Sequence, residues 1–285
     1  MQPKIVFFGT PHIAVAVLNE LEKSDLVPSL VVTNPDRCQG RKMVITPSPV
    51  KVWALERIIE IIQPETLEDN ECVKKLKTAE ADLFVVVAYG KIIPKEILEI
   101  SKHGTLNMHP SLLPRLRGAS PIRSAILTDE RETGVTVMLL DEEMDHGPIV
   151  AQKEVSISKD EWPLRGRNLD ALLAQEGGKL LAETIPRWID GSIKPKEQDH
   201  SKATFCSKIT KDMSEINLQD DPYQNLLKIR AFDGWPGTFF WHAQGEKKIR
   251  VKIVDAELDS DGSLKIIRVT PEGRSEVSYT DFMRH

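Results

Sequence analysis

The stretch Leu83-Phe-Val-Val-Val-Ala-Tyr-Gly90 is the most hydrophobic run in this 285-residue chain, and a glycine ends it. An uninterrupted apolar run is typical of a strand at the centre of a parallel sheet, where helices cover both faces. Near the amino terminus, Lys4 to Gly9 predicts a buried strand, Ala14 to Leu21 a helix, and Leu30 to Thr33 a second strand. This β-α-β order predicts a right-handed parallel unit and therefore an α/β, Rossmann-like fold with a mostly parallel sheet.

The rest of the chain predicts further helices and strands, followed by a short β-rich region. The pair Gly177-Gly178 is expected to weaken the longest helix, since glycine is a poor helix former. The further helices are predicted at 51–61, 64–76, 120–127, 164–188 and 223–232, and the further strands at 133–140, 148–155, 237–241, 249–254, 264–269 and 276–279. The last four strands predict a small, shortened β-barrel of OB-like type or an open sheet.

A polar, turn-rich segment from Asp190 to His200 predicts the boundary between two domains. We therefore expect a larger α/β domain at 1–189, a linker at 190–203 and a C-terminal β domain at 204–285. A chain of this length can bury enough apolar surface for such an arrangement.

The composition is that of a globular protein, with 40% hydrophobic and 28% charged residues. The net charge of −5 gives no overall sign of nucleic-acid binding, so such a partner would have to be held by a local basic patch. The amino terminus lacks the pattern of a signal peptide, and no apolar run is long enough to span a membrane. Three widely separated cysteines without CxxC spacing argue against disulfides and a zinc site. A reduced, cytoplasmic protein without a metal is the simplest expectation.

Two polar side chains alternate on a further predicted strand, within Gly104-Thr-Leu-Asn-Met-His-Pro-Ser-Leu-Leu-Pro-Arg-Leu-Arg-Gly118. If Leu106 to His109 is extended, Asn107 and His109 point to the same face of the sheet. A fixed amide can stabilise a developing oxyanion, a histidine can transfer a proton near neutral pH, and an acid from the turn at 141–145 would orient its ring. Together these groups suit the attack of a nucleophile on a carbonyl carbon.

Two other interpretations of these residues stay open. Ser111, His109 and Asp145 could form a hydrolase triad, although Ser111 lies in Pro-Ser-Leu-Leu-Pro and not in a Gly-x-Ser-x-Gly turn. Alternatively, Asn107 caps a turn and His109 packs in the core, so that neither side chain meets a substrate.

The segment from Asn34 to Pro49 is long, contains three prolines and is basic. Long loops inside compact domains are usually functional or disordered. The segment is therefore either a solvated surface loop or a basic arm that reaches an anionic partner. Its basic residues, with one just beyond it, are Arg37, Arg41, Lys42 and Lys51.

Four motifs, Asn107-Met-His109, Ser111-Leu-Leu-Pro114, Arg117-Gly118 and Asp145-x-Gly147, together resemble the folate-dependent formyltransferase family. Within that family, the likeness is greatest to the members that act on methionyl-tRNA. Further motifs carry this likeness: Phe8-Gly-Thr-Pro11, Pro35-Asp-Arg37, Gly40-Arg41, Pro47-Ser-Pro-Val-Lys51, Val87-Ala-Tyr-Gly90 and Trp235-Pro236. The matching motifs follow the same order through nearly the whole chain.

The resemblance implies a formyltransferase fold that uses 10-formyltetrahydrofolate as the formyl donor. The acceptor it implies is the α-amino group of methionine on initiator tRNA, and the process is translation initiation. It also implies that Asn107 positions and polarises the formyl oxygen, that His109 assists proton transfer, and that Asp145 is the partner of His109. A cytoplasmic monomer that needs neither a metal nor a membrane is expected.

Ligand contacts are implied as well. Folate contacts fall on Val87, Tyr89, Gly90, Ile92, Ser111, Leu112, Leu113 and Pro114. Contacts with tRNA fall on Arg37, Arg41, Lys42, Lys51 and the C-terminal domain, with Arg115, Arg117 and Arg123 as further positive charge that could hold phosphates.

The chain departs from the family pattern at His146, where the family usually has threonine, and in the shortened run from Val251 to Arg274. Other functions stay open: an amino-sugar N-formyltransferase with the same three site residues, a folate- or tRNA-binding protein without catalysis, or a hydrolase of formyltetrahydrofolate. The basic segment at 34–51 favours the tRNA acceptor, because an enzyme that acts on a nucleotide sugar has little use for it.

Overall fold

The computed structural model describes residues 2–39 and 43–284, and the chain divides into two compact units. The first unit comprises residues 1–118, 133–155 and 171–205, and the second comprises 119–132, 156–170 and 206–285. The segment predicted as a linker, 190–203, belongs to the first unit by its contacts. The predicted domain limits at 189 and 204 stay predictions.

The described residues form strands and helices with the following bounds. The strands are β1 Ile5–Gly9, β2 Leu30–Val32, β3 Arg37–Gln39, β4 Val44–Thr46, β5 Glu60–Ile62, β6 Leu83–Val87, β7 Thr105–His109, β8 Arg117–Gly118, β9 Thr133–Leu139, β10 Ile149–Val155, β11 Phe205–Cys206, β12 Phe239–Gln244, β13 Lys247–Leu258, β14 Leu264–Pro271 and β15 Val277–Ser278. The helices are α1 His12–Lys23, α2 Pro49–Glu56, α3 Asn70–Thr78, α4 Lys95–Leu98, α5 Pro121–Leu127, α6 Gly166–Ile189, α7 Pro222–Ala231 and α8 Tyr279–Met283. Within residues 2–39 and 43–284, no helix is long and apolar enough to cross a membrane.

The first unit is built on a seven-stranded sheet with the order β10-β9-β7-β6-β1-β2-β5. Strands β7, β6, β1, β2 and β5 are parallel, whereas β9 is antiparallel to both β7 and β10. Every residue of β1 and β6 is buried, which is why both strands are uninterrupted apolar runs. The predicted mostly parallel α/β sheet is confirmed.

The strand order places the ends of the predicted site stretches side by side. Gly9 at the end of β1 pairs with Val87 at the end of β6, and Val86 pairs with Asn107 on β7. The carboxyl ends of these parallel strands therefore share one edge of the sheet. In open α/β sheets, this edge is where ligands bind.

Helix α6 runs without a break through Gly177 and Gly178, so the predicted weak point there is wrong. A Cβ atom on Gly177 would lie 2.7 Å from Sδ of Met108 in β7. A Cβ atom on Gly178 would lie 3.2 Å from the Cα of Val17 in α1. The two glycines therefore allow close packing of the helix, and this packing offsets their low helix propensity.

Several short elements differ from the sequence-based prediction. The helix predicted to reach Ile61 ends at Glu56, and Glu60–Ile62 forms an edge strand because it pairs with β2. In the basic segment, β3 and β4 form an antiparallel pair in which Arg37 lies opposite Thr46. Helix α4 was not predicted.

The second unit contains an antiparallel sheet with the order β12-β13-β14-β15. One face of this sheet packs on an apolar core that includes Phe240, Val251, Ile253, Val269 and Phe282. The four predicted strands and the helix predicted at 223–232 are confirmed. Strands β12 and β15 lie at the two edges of the sheet, as in an open sheet.

Candidate active site

Asn107 lies in β7, at the sheet edge where the parallel strands end. Alternation along the strand puts Met108 on the face that packs against Gly177, so Asn107 and His109 share the opposite face. Asn107 is half-buried, and within residues 2–39 and 43–284 its side-chain amide has no hydrogen-bond partner. Its donor and acceptor groups are therefore available to a ligand.

His109 is almost completely enclosed, with 4% of its surface exposed. Its Nε2 lies 2.9 Å from the carbonyl oxygen of Leu116, and its Nδ1 lies 3.5 Å from Oδ1 of Asp145. Because a carbonyl oxygen only accepts, the first contact requires a proton on Nε2. Nδ1 then faces the Asp145 carboxylate, which orients the ring.

Asp145 adopts a left-handed backbone conformation, with φ of 50°, in the turn that follows β9. Its Oδ2 accepts a 2.7 Å hydrogen bond from the backbone N–H of Gly118. Gly147, two residues after Asp145, packs directly against the backbone of Leu139. A Cβ on Gly147 would lie 2.1 Å from the carbonyl oxygen of Leu139, so this position requires glycine. The turn and the loop after β7 together hold the carboxylate beside the imidazole.

The side chains of Thr136 and Gln152 bind the backbone of the loop after β7. The hydroxyl of Thr136 donates to the carbonyl of Ser111 at 2.6 Å and accepts from the backbone N–H of Leu113 at 3.2 Å. The Nε2 of Gln152 donates to the carbonyl of Leu113 at 2.9 Å. The Ser111 hydroxyl donates to the carbonyl of Arg115 at 2.7 Å, so its proton is bound by a backbone carbonyl and not by the imidazole. This geometry gives no support to the hydrolase triad.

The predicted folate-contacting residues divide by exposure. Val87, Tyr89, Ser111 and Leu113 are buried, whereas Ile92 is 86% exposed. Burial raises the pKa of the Tyr89 hydroxyl, which has no hydrogen-bond partner among the described residues. The remaining three, Gly90, Leu112 and Pro114, lie in the same two loops.

Two of the four predicted tRNA-contacting side chains can be described, and each is in an ion pair. Arg37 lies 2.7 Å from Glu65, and Lys51 lies 2.7 Å from Asp36. Hydrogen bonds from Gln63 and then from Lys51 lower the pKa of the Asp36 carboxyl. The other two, Arg41 and Lys42, lie outside the described residues.

Two of the arginines that the sequence suggests for phosphate binding, Arg117 and Arg123, are engaged by other side chains of the chain. Arg117 is 4% exposed and directs its guanidinium at the side chain of Gln198. Arg123, in the second unit, forms a bidentate ion pair with Asp170. Gln198 also donates to the backbone carbonyl of Asp145, a contact that the sequence did not predict because Gln198 lies in a polar stretch interpreted as a linker.

His146, the departure from the family pattern, stacks on His200 with the ring centroids 4.1 Å apart. Its Nδ1 lies 2.7 Å from Oδ2 of Asp141. Across residues 2–39 and 43–284, no group of three or more His, Cys, Asp or Glu side chains is placed to hold a metal ion.

Comparisons with known proteins agree with this fold. Residues 3–184 match the formyl transferase family. The chain is 36% identical over 301 residues to the methionyl-tRNA formyltransferase of Bacillus licheniformis, across 99% of this chain and 94% of that protein.

Solved structures show the same fold. The methionyl-tRNA formyltransferase from Clostridium thermocellum gives a TM-score of 0.63 at 16% identity, over 98% of this chain and 100% of that one. An N-formyltransferase from Helicobacter canadensis, in complex with folinic acid and dTDP-3-aminofucose, gives a TM-score of 0.62 at 22% identity, over 91% of this chain and 88% of that one. The fold is thus that of an α/β enzyme, and the polar side chains described above lie at the carboxyl edge of its parallel strands. The chain belongs to the formyl transferase family.

Proposed function

We propose that this chain transfers the formyl group of 10-formyltetrahydrofolate to the α-amino group of methionine carried on initiator tRNA. The match over almost the whole chain to relatives named methionyl-tRNA formyltransferase carries the proposal. The product serves translation initiation, and the chain acts as a monomer in the cytoplasm, where charged tRNA is found.

The proposed reaction is balanced without an oxidant, a reductant or a metal. The amine nitrogen forms a bond to the formyl carbon, and the bond from that carbon to N10 of the folate breaks. The amine loses one proton and the folate nitrogen gains one. An α-amino group has an ordinary pKa of about 7.7–8.0, so a usable fraction is already the free base near neutral pH.

Asn107 is proposed to bind the formyl oxygen. Its amide is half-buried at the carboxyl edge of the sheet and has no hydrogen-bond partner among the described residues, which supports this role. A donor fixed on a strand needs no reorganisation when negative charge develops on the oxygen. Such a donor contributes about 2.7–4 kcal/mol to catalysis.

His109 and Asp145 are proposed to act as a pair on the proton that the amine loses. The Leu116 carbonyl holds the proton on Nε2, so Nδ1 is the group that accepts a second proton. The Asp145 carboxylate, 3.5 Å from Nδ1, stabilises the imidazolium that results. General acid–base catalysis of this kind contributes about 10²–10⁴-fold to a rate.

The folate is proposed to bind between the loop at 111–114 and the residues from Val87 to Ile92. The loop is fixed in advance by Thr136 and Gln152, and Ile92 offers an exposed apolar side chain. Fixed backbone groups beside apolar side chains suit a flat heterocycle with hydrogen-bonding edges. Buried Tyr89 would contribute through its backbone, since its ring packs on Phe8.

The tRNA is proposed to contact the basic segment at 37–51 and the C-terminal sheet. On the outer face of that sheet, Lys248, Arg250 and Lys252 alternate along β13, opposite Phe239 and Trp241 on β12. Arg250 lies 3.9 Å above the Phe239 ring, and Trp241 is 48% exposed. None of the three cations has a carboxylate partner among the described residues. We call this surface the basic-aromatic face; its charges suit phosphates and its exposed ring suits a base.

The test is an acceptor comparison with the purified chain and 10-formyltetrahydrofolate. Methionyl-initiator tRNA, a nucleotide-linked amino sugar and buffer alone are offered in separate reactions. We expect formyl-methionine after mild hydrolysis of the tRNA product. Formylation of the sugar alone would identify the amino-sugar enzyme, release of formate without an acceptor would identify the hydrolase, and binding without turnover would leave only a binding protein.

A further inference from the structure

We propose that Gln198 is a positioning residue that holds the Asp145 carboxylate in place beside His109. Gln198 is 5% exposed and lies in the stretch that the sequence presents as a linker. Its Nε2 donates to the carbonyl of Asp145 at 2.9 Å and to the carbonyl of Gly147 at 2.7 Å. Its role in catalysis rests on the proposed function of the site, whereas its contacts do not.

The hydrogen-bonding capacity of this buried amide is fully used. An amide nitrogen carries two protons, and here each goes to one carbonyl of the turn. The Oε1 atom accepts from Nε and from a terminal nitrogen of Arg117, at 3.2 Å and 2.7 Å. Because arginine only donates, Arg117 fixes which end of the amide is the oxygen, and the nitrogen must face the turn.

The turn needs such a hold because of its backbone conformation. Asp145 has φ of 50°, in the left-handed region that costs a residue with a side chain more than it costs glycine. Two carbonyls, one on Asp145 and one on Gly147, converge on a single nitrogen and keep the chain curved. The curve points the Asp145 side chain at the Gly118 N–H and at the imidazole.

Arg117 connects the Gln198 amide to the loop after β7. It precedes Gly118, whose N–H binds the Asp145 carboxylate, and it also contacts Nδ1 of His200 at 2.9 Å. The amide of Gln198 therefore ties the backbone of the acidic turn to the loop after β7. Removing its two donated hydrogen bonds would free the carboxylate without removing any group that touches a substrate.

The test is a double-mutant cycle on the full chain, with Gln198→Glu and Asp145→Asn alone and together. The glutamate keeps the size and the bond to Arg117 but has neither donor to the turn. We expect Gln198→Glu to lower kcat about 10- to 100-fold with KM changed less than about threefold, and its kcat–pH profile to follow that of Asp145→Asn. The double variant should be no slower than Asp145→Asn, since both changes remove the same interaction.

Multiplied losses in the double variant, or an unchanged kcat in Gln198→Glu, would overturn the proposal. If Gln198→Glu does not fold, Gln198→Met is put through the same cycle, because it has a similar length and no charge. Glu197→Gln is the matched control, an exposed neighbour expected to leave kcat unchanged. Wild-type turnover with methionyl-tRNA tests the proposed function separately; if another amine is the acceptor, the cycle is run with that amine.

Discussion

The Nδ1 of His109 lies 3.5 Å from Oδ1 of Asp145, and the two side chains are only 5% and 12% exposed. Water therefore screens this contact little, and the charge on the carboxylate acts on the imidazole at short range. The other imidazole nitrogen already binds the Leu116 carbonyl. The imidazole is thus held between a backbone carbonyl on one side and a carboxylate on the other.

Asp145→Asn should lower kcat about 10²-fold and leave stability nearly unchanged. The asparagine oxygen can still accept from Gly118, so the change removes the charge and keeps the shape. Steady-state kinetics and urea unfolding of the same preparation measure the two quantities. Glu143→Gln, in the same turn but exposed, is the control and should retain full activity. A kcat within twofold of wild type for Asp145→Asn would remove the carboxylate from the mechanism.

Asn107→Ala should lower kcat about 10²–10³-fold, the loss typical of one oxyanion donor. Stability should hardly change, because the described residues offer its amide no hydrogen bond to lose. Asn19→Ala is the matched control: its Oδ1 accepts from the Trp53 indole at 2.8 Å. We expect that variant to lose about 1 kcal/mol of stability while keeping its kcat. If Asn107→Ala instead lost stability and kept its kcat, Asn107 would be a structural residue.

The central sheet could be predicted because its strands carry their own signal. The runs in β1 and β6 are apolar without interruption, and such runs have few alternatives in a parallel sheet. The edge strand Glu60–Ile62 carries no such signal, since three residues become a strand only through pairing with β2. The continuity of α6 through Gly177 likewise depends on a partner far away in sequence.

The candidate site could be predicted in part for the same reason. Asn107 and His109 are two residues apart on one strand, so alternation alone places them on one face. Gln198 could not be found this way, because a glutamine among charged residues looks solvated. Its burial depends on Arg117, 81 residues earlier, and no local pattern indicates such a contact.

Gly178→Ala should destabilise the protein more than Gly177→Ala. A Cβ on Gly177 meets Sδ of Met108 at 2.7 Å, an atom near the end of a flexible side chain. A Cβ on Gly178 meets the Cβ of Glu20 at 2.7 Å and the Cα of Val17 at 3.2 Å, which the backbone of α1 holds. Overpacking costs about 1–3 kcal/mol, against about 1 kcal/mol gained in helix propensity. Urea unfolding gives the order. In a double-mutant cycle, Gly177→Ala should cost less stability in a Met108→Ala background than in the wild type, whereas the cost of Gly178→Ala should be the same in both.

Asp36→Asn should lower the stability of the protein at neutral pH. This difference in stability from the wild type should shrink as the pH falls into the acid range. The pKa of the Asp36 carboxyl is lowered in the folded chain by hydrogen bonds from Gln63 and Lys51. A lowered folded-state pKa stabilises the protein above the ordinary value of about 3.9, and this contribution is lost as the pH falls through the folded-state value. Urea unfolding at several pH values between neutral and about 3 measures the difference between wild type and variant. Asp160→Asn gives the background of removing one exposed carboxylate. A difference that stays constant or grows in acid would contradict the prediction.

Replacing Lys248, Arg250 and Lys252 together by alanine should weaken tRNA binding and flatten its salt dependence. Each phosphate that is no longer neutralised by a cation lowers the slope of log affinity against log salt by about 0.7–0.9. The slope should therefore fall by as much as about 2 to 3. The kcat at saturating tRNA should stay the same, because the three cations are in the second unit whereas Asn107, His109 and Asp145 are in the first. Filter binding of methionyl-tRNA at a series of salt concentrations measures the slope.

Lys265→Ala is the control on the same sheet, because Lys265 already pairs with Glu257 at 3.0 Å and should contribute little to the slope. An unchanged slope in the triple variant would mean that the basic-aromatic face does not bind phosphates, and the tRNA would then depend on the basic segment at 37–51.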